Sequence, residues 1–173
     1  MTARDAILSA IPEAGGSLQR EGVRTPALNS GLWVHFQSKL EALGGRVVAE
    51  ISLPTDSVWV EEAASALLGE ESTAASIWDA QLGVCVAELA VAEMGSVLVC
   101  SGNGRERLSS LIPPINLILV PRDRIVGTLA EAIENLPDRN CALITGPSRT
   151  ADIEGVLVKG VHGPKEVWVH PYG

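Results

Sequence analysis

Aromatic residues, cysteines and positive charge are all scarce in this chain. Aromatic side chains make up 3% of its 173 residues, so the core has to be built from Val, Leu, Ile and Ala. The formal net charge is −8 and the basic residues form no cluster, which argues against binding to nucleic acid or to an anionic membrane surface. No apolar run reaches the roughly 18 residues that a membrane span needs. The N-terminus has an early acid and no long apolar stretch, unlike a signal peptide.

The three cysteines, Cys85, Cys100 and Cys141, match no CxxC or zinc-ligand spacing. Each lies in an apolar segment, so we expect buried free thiols. Free thiols are typical of the reducing cytosol, and we therefore expect a cytoplasmic protein. GxSxG, HExxH and Walker sequences are also missing, as are cysteine clusters for iron–sulfur centres. The sequence thus predicts neither a metal site nor a cofactor of its own.

Apolar runs alternate along the chain with helical patterns. The predicted strands cover residues 46–51, 74–78, 95–100, 115–120, 141–145 and 165–170. The predicted helices cover residues 30–43, 56–68, 85–93, 123–133 and 150–156. This alternation predicts an α/β fold with a mainly parallel open sheet and helices on both faces. We expect residues 1–29 to form an N-terminal helix and a flexible arm, and residues 30–173 to form a single α/β domain.

Residues 146–164 carry the highest density of polar and charged side chains between apolar strands. A Gly-Pro turn follows the strand predicted at 141–145, and a short helix is predicted next. The free N–H groups at the start of such a helix attract a carboxylate or phosphate. Ser148 or Thr150 would cap the helix, Arg149 would clamp the anion, and Gly163 would let the backbone approach it. The alternative interpretation is ordinary helix capping with no ligand.

Three residues of this stretch are candidates for chemistry. Asp152 and Glu154 diverge by about 200° on a helix, so only one of them would face a pocket. His162 lies between two glycines and is of the residue type that usually titrates near neutral pH. Its alternative role is that of a turn residue.

A second candidate site surrounds the loop after the strand predicted at 95–100. Gly102 and Gly104, followed by Arg105, would cradle a phosphate, and Glu93 would lie at the nearby sheet edge. The loop lacks a full GxGxxG or P-loop sequence. A tight turn with a solvated arginine is therefore the favoured interpretation.

The residues of 146–154 and 160–164, at this spacing, closely resemble the LUD-domain family of lactate-utilisation proteins, and within it the lactate utilisation protein C group. Residues 4–8, 40–45 and 110–114 resemble other parts of the family's sequence. The resemblance implies the fold of the ribose-5-phosphate isomerase, glucosamine-phosphate deaminase and CoA-transferase superfamily (NagB/RpiA-like). It also implies a part in oxidising L-lactate to pyruvate beside an iron–sulfur protein and a cysteine-rich protein.

The chain departs from the family's pattern in two places. Glu93-Met94-Gly95-Ser96 stands where the family usually has Glu-Thr-Gly-Thr, which changes the hydroxyl groups there. The segment between residues 12 and 30 is shorter than in typical members.

Two functions remain open from the sequence. The first is a non-redox subunit of a lactate-oxidising assembly that binds a small carboxylate or a partner protein at 146–164. The second is a stand-alone enzyme acting on a phosphorylated or acyl-CoA ligand. Its anion site would join Gly102, Gly104 and Arg105 to the helix predicted at 150–156, with Glu154 or Glu93 as nucleophile or base.

Overall fold

The computed structural model of the protein describes residues 30–151 and 157–173. Its strands, in chain order, are β1 Arg46–Val47, β2 Val58–Val60, β3 Leu82–Val86, β4 Leu89–Val91, β5 Ser96–Cys100, β6 Ile115–Pro121, β7 Ile125–Val126, β8 Cys141–Ile144, β9 Arg149–Ala151, β10 Leu157–Lys159 and β11 Glu166–Tyr172. Its α-helices are α1 Ser30–Ala42, α2 Glu62–Leu68 and α3 Leu129–Glu134. Short 3₁₀ turns lie at Ile77–Asp79, Arg107–Ser110 and Arg122–Arg124.

The centre of the fold is a parallel sheet with the strand order β1-β11-β6-β3-β2. Every neighbouring pair in it is parallel. Strand β3 is buried along its whole length, and β6 is buried except at its two ends. These strands are continuous apolar runs because both of their faces are covered.

A second sheet, in the order β7-β4-β5-β8, packs with α1 on one face of the parallel sheet. Phe36 and Leu40 of α1 and Val97 of β5 share a core there with Ile118 of β6. On the opposite face, α2 contributes Ala64 to a separate apolar cluster. Helix α3 covers the outer face of the second sheet.

Helix α1 lies directly against the turn between β4 and β5. Gly95 in that turn has a φ of 64°, and a Cβ on it would lie 2.3 Å from the backbone nitrogen of Leu40. Only glycine satisfies both the backbone angle and this contact. The turn therefore fixes how closely the helix approaches the second sheet.

The predicted α/β class with a mainly parallel sheet is confirmed, with fewer helices than expected. Helix α1 and the strands β5, β6, β8 and β11 lie where the sequence places them. The helix predicted at 85–93 is wrong, because that segment holds the end of β3 and all of β4. A run buried on both faces has no alternation, so periodicity cannot distinguish it from a buried helix.

Other predicted elements also differ. The helix predicted at 123–133 begins only at Leu129, because its first half is a 3₁₀ turn followed by the strand β7. The helix predicted at 56–68 begins only at Glu62, after the strand β2. The strand predicted at 74–78 is replaced by a 3₁₀ turn at Ile77–Asp79. The strand predicted at 46–51 ends at Val47. The N-terminal helix and arm predicted for residues 1–29 lie outside the described residues.

The expectation of three free thiols is wrong for two of the cysteines. Cys100 and Cys141 form a disulfide, whereas Cys85 is free and buried. The pair lies directly opposite one another on the antiparallel strands β5 and β8. Within 30–151 and 157–173, no helix has the length and apolar character that crossing a membrane requires.

Candidate anion site at the carboxyl end of the parallel sheet

The strands of the parallel sheet end at a cleft of about 480 Å³. Pro121 at the end of β6 and Tyr172 at the end of β11 line it, together with Glu88, which follows β3. Ligands of open α/β folds bind at the carboxyl ends of the strands. We call this space the carboxyl-end cleft.

Glu88 in this cleft is held by three arginines. Arg124 Nη1 donates to Glu88 Oε1 at 2.7 Å, and Arg105 and Arg139 both make close ion pairs with Oε2. The Glu88 side chain is only 11% exposed, and those of Arg105 and Arg139 are about one-fifth exposed. We call these four residues the Glu88 cluster.

Each arginine of the cluster comes from a different part of the chain. Arg105 lies in the loop after β5, Arg124 in the turn after β6, and Arg139 just before β8. The second sheet brings these segments together, since β5 and β8 pair from Val97 opposite Ile144 to Cys100 opposite Cys141. The cluster is therefore a product of topology and not of a local sequence motif.

The charge of Glu88 is stabilised by its neighbours. Burial by itself would raise the pKa of this carboxyl, but Arg105, Arg139 and Arg124 outweigh burial and leave the pKa below its ordinary value. Glu88 is thus ionised at neutral pH. Because each guanidinium carries several N–H donors in a fixed plane, the arginines retain donors for a second anion in the cleft.

Glu61 is a second buried carboxyl at this end of the sheet. It follows β2, is 2% exposed, and accepts hydrogen bonds from the backbone N–H groups of Val86 at 2.5 Å and Glu106 at 2.8 Å. Burial raises its pKa to about 7, although both hydrogen bonds and the nearby Arg105 act in the opposite direction. Glu61 therefore joins β2, β3 and the loop that carries Arg105.

Gly102 and Gly104 shape the turn that delivers Arg105 to Glu88. Both have positive φ angles, 90° and 72°, and so does Asn103 between them, at 56°. The N–H of Gly102 donates to the carbonyl of Arg105, and the carbonyl of Gly104 accepts from Ala63 at the start of α2. The expected tight turn is therefore present in the backbone, but Arg105 pairs with Glu88 and is not the solvated arginine that we expected.

Residues 146–149 and 162–164 line a different cleft, of about 450 Å³, together with Leu43 and Leu111. The structure brings Ser148, Arg149, His162 and Gly163 together around it. Backbone bonds from Lys165 and Glu166 to Pro114 place this stretch at the starts of β6 and β11. We call it the amino-end cleft.

The helix predicted at 150–156 is wrong for its described residues, 150–151, which belong to the strand β9. Arg149–Ala151 pairs antiparallel with Leu157–Lys159, and Thr150 lies opposite Val158. A strand has no N-terminal cluster of free N–H groups, so the helix-based argument for anion binding does not apply there. Asp152 and Glu154 lie outside the described residues.

The polar groups of the amino-end cleft bond mainly to their own neighbours. Arg149 Nη2 makes a close hydrogen bond to the carbonyl of Leu43 at the end of α1, where a cation offsets the helix dipole. Ser148 Oγ accepts the backbone N–H of His162 at 3.3 Å, and His162 itself is exposed. These bonds give Ser148 and Arg149 structural roles.

The two clefts lie at opposite ends of the parallel sheet. Strand β6 runs from Ile115 to Pro121, which corresponds to roughly 20 Å at the usual rise of a strand. The structure therefore does not join Gly102, Gly104 and Arg105 to the residues of 148–150 in one anion site.

Comparison with known proteins assigns the family. The model of the LUD domain family matches residues 3–169. The chain belongs to the LUD domain family. It is 29% identical over 187 residues to lactate utilization protein C of Geobacillus thermodenitrificans, an alignment that covers 93% of this chain and 76% of that protein. It is 38% identical over 96 residues to lactate utilization protein C of Halalkalibacterium halodurans, which covers 49% of this chain and 41% of that protein.

A solved structure supports the fold of this LUD domain. The crystal structure of a DUF162 family protein from Deinococcus radiodurans superposes with a TM-score of 0.59 and 18% identity, covering 86% of this chain and 100% of that chain. At this identity the likeness concerns the fold alone. Among the described residues of the LUD domain, no group of three or more His, Cys, Asp or Glu side chains could hold a metal ion.

The segment where the chain departs from the family's pattern has structural contacts in this LUD domain. Glu93 is exposed and its Oε1 accepts the backbone N–H of Leu129 at 2.6 Å, at the start of α3. It lines neither cleft. The Ser96 hydroxyl is fully buried and bonds to Thr145 Oγ1 at 2.9 Å. The serine therefore still places a hydroxyl at this position.

Sequence reasoning found Arg105 but missed Glu88, Glu61, Arg124 and Arg139. Glu88 was missed because residues 85–93 were predicted as a helix, whereas Glu88 follows the buried strand β3. The available signal was an acid at the end of an apolar run, since such a residue lies at the carboxyl end of a parallel strand. No local signal marks Arg139, whose role depends on the pairing of β8 with β5.

Proposed function

We propose that this LUD domain serves L-lactate utilisation in the cytoplasm as a non-redox subunit that binds a small organic anion in the carboxyl-end cleft. Its relatives are named lactate utilization protein C, and one such alignment extends over 93% of the chain. That relationship carries the proposal. Oxidation to pyruvate is assigned to the assembly, with electrons passing through iron–sulfur and cysteine-rich partner proteins.

The charge distribution supports anion binding in this cleft. The chain as a whole has a net charge of −8, yet the charged side chains that line the cleft are those of three arginines, Arg105, Arg122 and Arg124, and two acids, Glu88 and Asp123. Guanidinium groups bind carboxylates through paired hydrogen bonds. A carboxylate of the size of lactate or pyruvate fits a volume of about 480 Å³ with room for a partner's side chains.

Tyr172 adds a neutral donor to the cleft. It is half-buried, and this burial raises the pKa of its hydroxyl above the ordinary value. The phenol therefore stays protonated at neutral pH and can donate to the hydroxyl or keto oxygen beside a carboxylate. An α-hydroxy or α-keto acid matches this combination of arginines and phenol.

Calorimetric titration with L-lactate and pyruvate tests binding in the cleft. We expect binding to the wild type that weakens at least about fivefold in Arg124→Gln, because one charge-assisted hydrogen-bond donor is lost. Arg46→Gln is the matched control, since Arg46 is exposed and pairs with Glu166 at the other end of the sheet. Equal binding by both variants, or none by the wild type, would refute the anion site.

Growth on L-lactate tests the role in the organism that encodes the chain. Deletion is expected to slow growth on lactate but not on glucose. Wild type and Arg46→Gln are expected to restore growth, and Arg124→Gln to restore it poorly. Affinity purification of the tagged chain is expected to recover an iron–sulfur protein. Normal growth of the deletion strain on lactate contradicts the role.

One observation favours a second candidate, a stand-alone enzyme for a phosphorylated or acyl-CoA ligand. Glu61 is buried at the carboxyl end of β2 with its pKa near 7, which suits a carboxyl base or nucleophile. The first proposal is preferred because Glu61 does not line the cleft. Thermal-shift measurements with acyl-CoA esters and sugar phosphates separate the two, since a ligand that binds the native state raises its melting temperature.

A further inference from the structure

The disulfide between Cys100 and Cys141 lies at the base of the Glu88 cluster. Cys100 is the last residue of β5 and Cys141 the first of β8, and they face each other in the antiparallel register. Arg105 follows Cys100 by one short loop, and Arg139 precedes Cys141 by two residues. The disulfide therefore joins the two segments that carry Arg105 and Arg139, the arginines that share Glu88 Oε2.

Non-covalent contacts next to the disulfide join the same two segments. The backbone N–H and the hydroxyl of Ser101 both donate to the carbonyl of Asn140, at 2.8 and 3.2 Å. The carbonyl oxygen of Arg139 lies 3.4 Å from Cys141 Sγ. Breaking the disulfide at Cys141 Sγ therefore acts directly on Arg139, which pairs with Glu88.

The two half-cystines differ in their exposure. Cys100 is 2% exposed, whereas Cys141 is partly buried and lines a cleft of about 550 Å³ beside α3. A thiol from solution can approach Cys141 through this cleft but not Cys100. Cys85 serves as an internal reference for an unreactive thiol, because it is 1% exposed and burial raises the pKa of its thiol.

We propose that Cys100 and Cys141 form a reversible thiol–disulfide exchange site that controls the Glu88 cluster. The proposal rests on the proposed function for the cytoplasmic setting and for the anion bound there. Disulfides that form in the cytosol are usually transient, catalytic or redox-sensing, and this one joins two loops that carry site residues. Its oxidant and reductant are low-molecular-weight disulfides and thiols.

The exchange proceeds in two balanced steps. A thiolate from solution attacks Cys141 Sγ, the bond between the cysteines breaks, and Cys100 leaves as a thiolate that takes up a proton. A second thiolate attacks the small-molecule sulfur of this mixed disulfide, so that the small disulfide forms and Cys141 leaves as a thiolate that takes up a proton. Two electrons pass to the protein, and two thiols of the reductant become one disulfide. Oxidation reverses both steps.

Reduction removes the covalent connection between the loops of Arg105 and Arg139. The two loops are then held together only by non-covalent contacts, the β5–β8 pairing and the Ser101–Asn140 bonds among them, and we expect them to move more freely. We expect the anion affinity of the carboxyl-end cleft to fall at least about fivefold, the lower end of usual couplings between sites. Faster amide exchange is expected in residues 101–105.

The test uses the full chain equilibrated in glutathione buffers from fully reduced to fully oxidised, followed by alkylation and mass spectrometry. The expected result is reversible gain and loss of one disulfide, Cys100 to Cys141, while Cys85 stays unmodified in the folded protein. A pair that stays bonded or stays free across the whole series in the folded protein overturns the proposal.

Amide exchange and lactate titration then test the coupling in the oxidised and reduced wild type. A double variant, Cys100→Ser with Cys141→Ser, should behave as the reduced protein and not respond to glutathione, and Cys85→Ser should respond as the wild type does. Unchanged exchange in 101–105 on reduction refutes the coupling. Absence of lactate binding in both redox states, with disulfide exchange and loop exchange intact, refutes only the proposed ligand.

Discussion

Replacing Glu88 by glutamine is the most direct perturbation of the candidate site. The substitution keeps the shape of the side chain but removes the charge that three guanidinium groups share. Arg105 and Arg139, each about one-fifth exposed, would then lie close together without a counter-ion. We expect Glu88→Gln to destabilise the fold because buried cations without a partner are costly.

The structure sets the size of this effect. Removing one partner of a fully buried ion pair costs about 3–5 kcal/mol. Arg124 is 44% exposed and is partly screened by water, which lowers the expected loss to about 3 kcal/mol. For a chain of this length, that corresponds to a decrease in melting temperature of about 6–12 °C.

The pH dependence has a definite sign. Glu88 has a lowered pKa in the folded state, so its contribution is present above the ordinary pKa of a glutamate and is lost as the pH falls through its folded value. The difference in free energy of unfolding between wild type and Glu88→Gln should thus be largest at neutral pH and shrink below about pH 4.5.

Urea unfolding followed by circular dichroism at pH 7 and pH 4 measures both quantities. The matched control is Glu166→Gln, which breaks the pair of Glu166 with Arg46 in which both side chains are about half exposed. That control should cost at most about 1 kcal/mol. Equal losses in the two variants, or a Glu88→Gln loss that is the same at pH 4, would refute the reasoning.

Three further predictions concern stability. Burial raises the pKa of Glu61 from 4.5 to about 7, so the protonated carboxyl contributes its full stability below pH 4.5 and this contribution is lost as the pH rises through 7. In the wild type we therefore expect the free energy of unfolding to decline between pH 5 and pH 8, and Glu61→Gln should reduce that decline by roughly 3 kcal/mol in urea unfolding. Gly83→Ala would place a Cβ 2.1 Å from the carbonyl oxygen of Ser109 and should lower the free energy of unfolding in urea by about 1–3 kcal/mol. Gly163→Ala is the control, because the nearest contact of its Cβ would be 3.4 Å, and it is expected to lower this free energy much less. Arg149→Ala removes the cation from the end of α1 and should lower the free energy of unfolding by about 1 kcal/mol without changing the affinity for lactate. Weaker lactate binding in this variant would contradict the structural role.

The elements that could be predicted are those with an unambiguous local pattern. Strand β6 is a short apolar run between Pro113-Pro114 and Arg122, and helix α1 has a regular apolar face that ends at Gly44. Strand β3 and its continuation into β4 could not be assigned, because complete burial removes the periodicity that separates strands from helices. The second sheet, and with it the position of Glu88, was therefore missed.

The candidate site shows the same limit more strongly. The sequence singles out Arg105 through its glycines, but its partner lies in another segment and the pair is defined only by the topology of two sheets. Cys100 and Cys141 are 41 residues apart, and nothing in that spacing indicates that β5 and β8 pair in register. Long-range register is a property of the folded chain, and a local pattern carries no information about it.

The separation of the two ends of the parallel sheet implies energetic independence. Glu88 and Arg149 share no bonding partner and are divided by the length of β6. Substitutions at distant sites without shared partners combine additively to within about 0.5 kcal/mol. One end of the protein is thus free to diverge in sequence, and to acquire new surface contacts, while the free energy of ligand recognition at the other end stays unchanged.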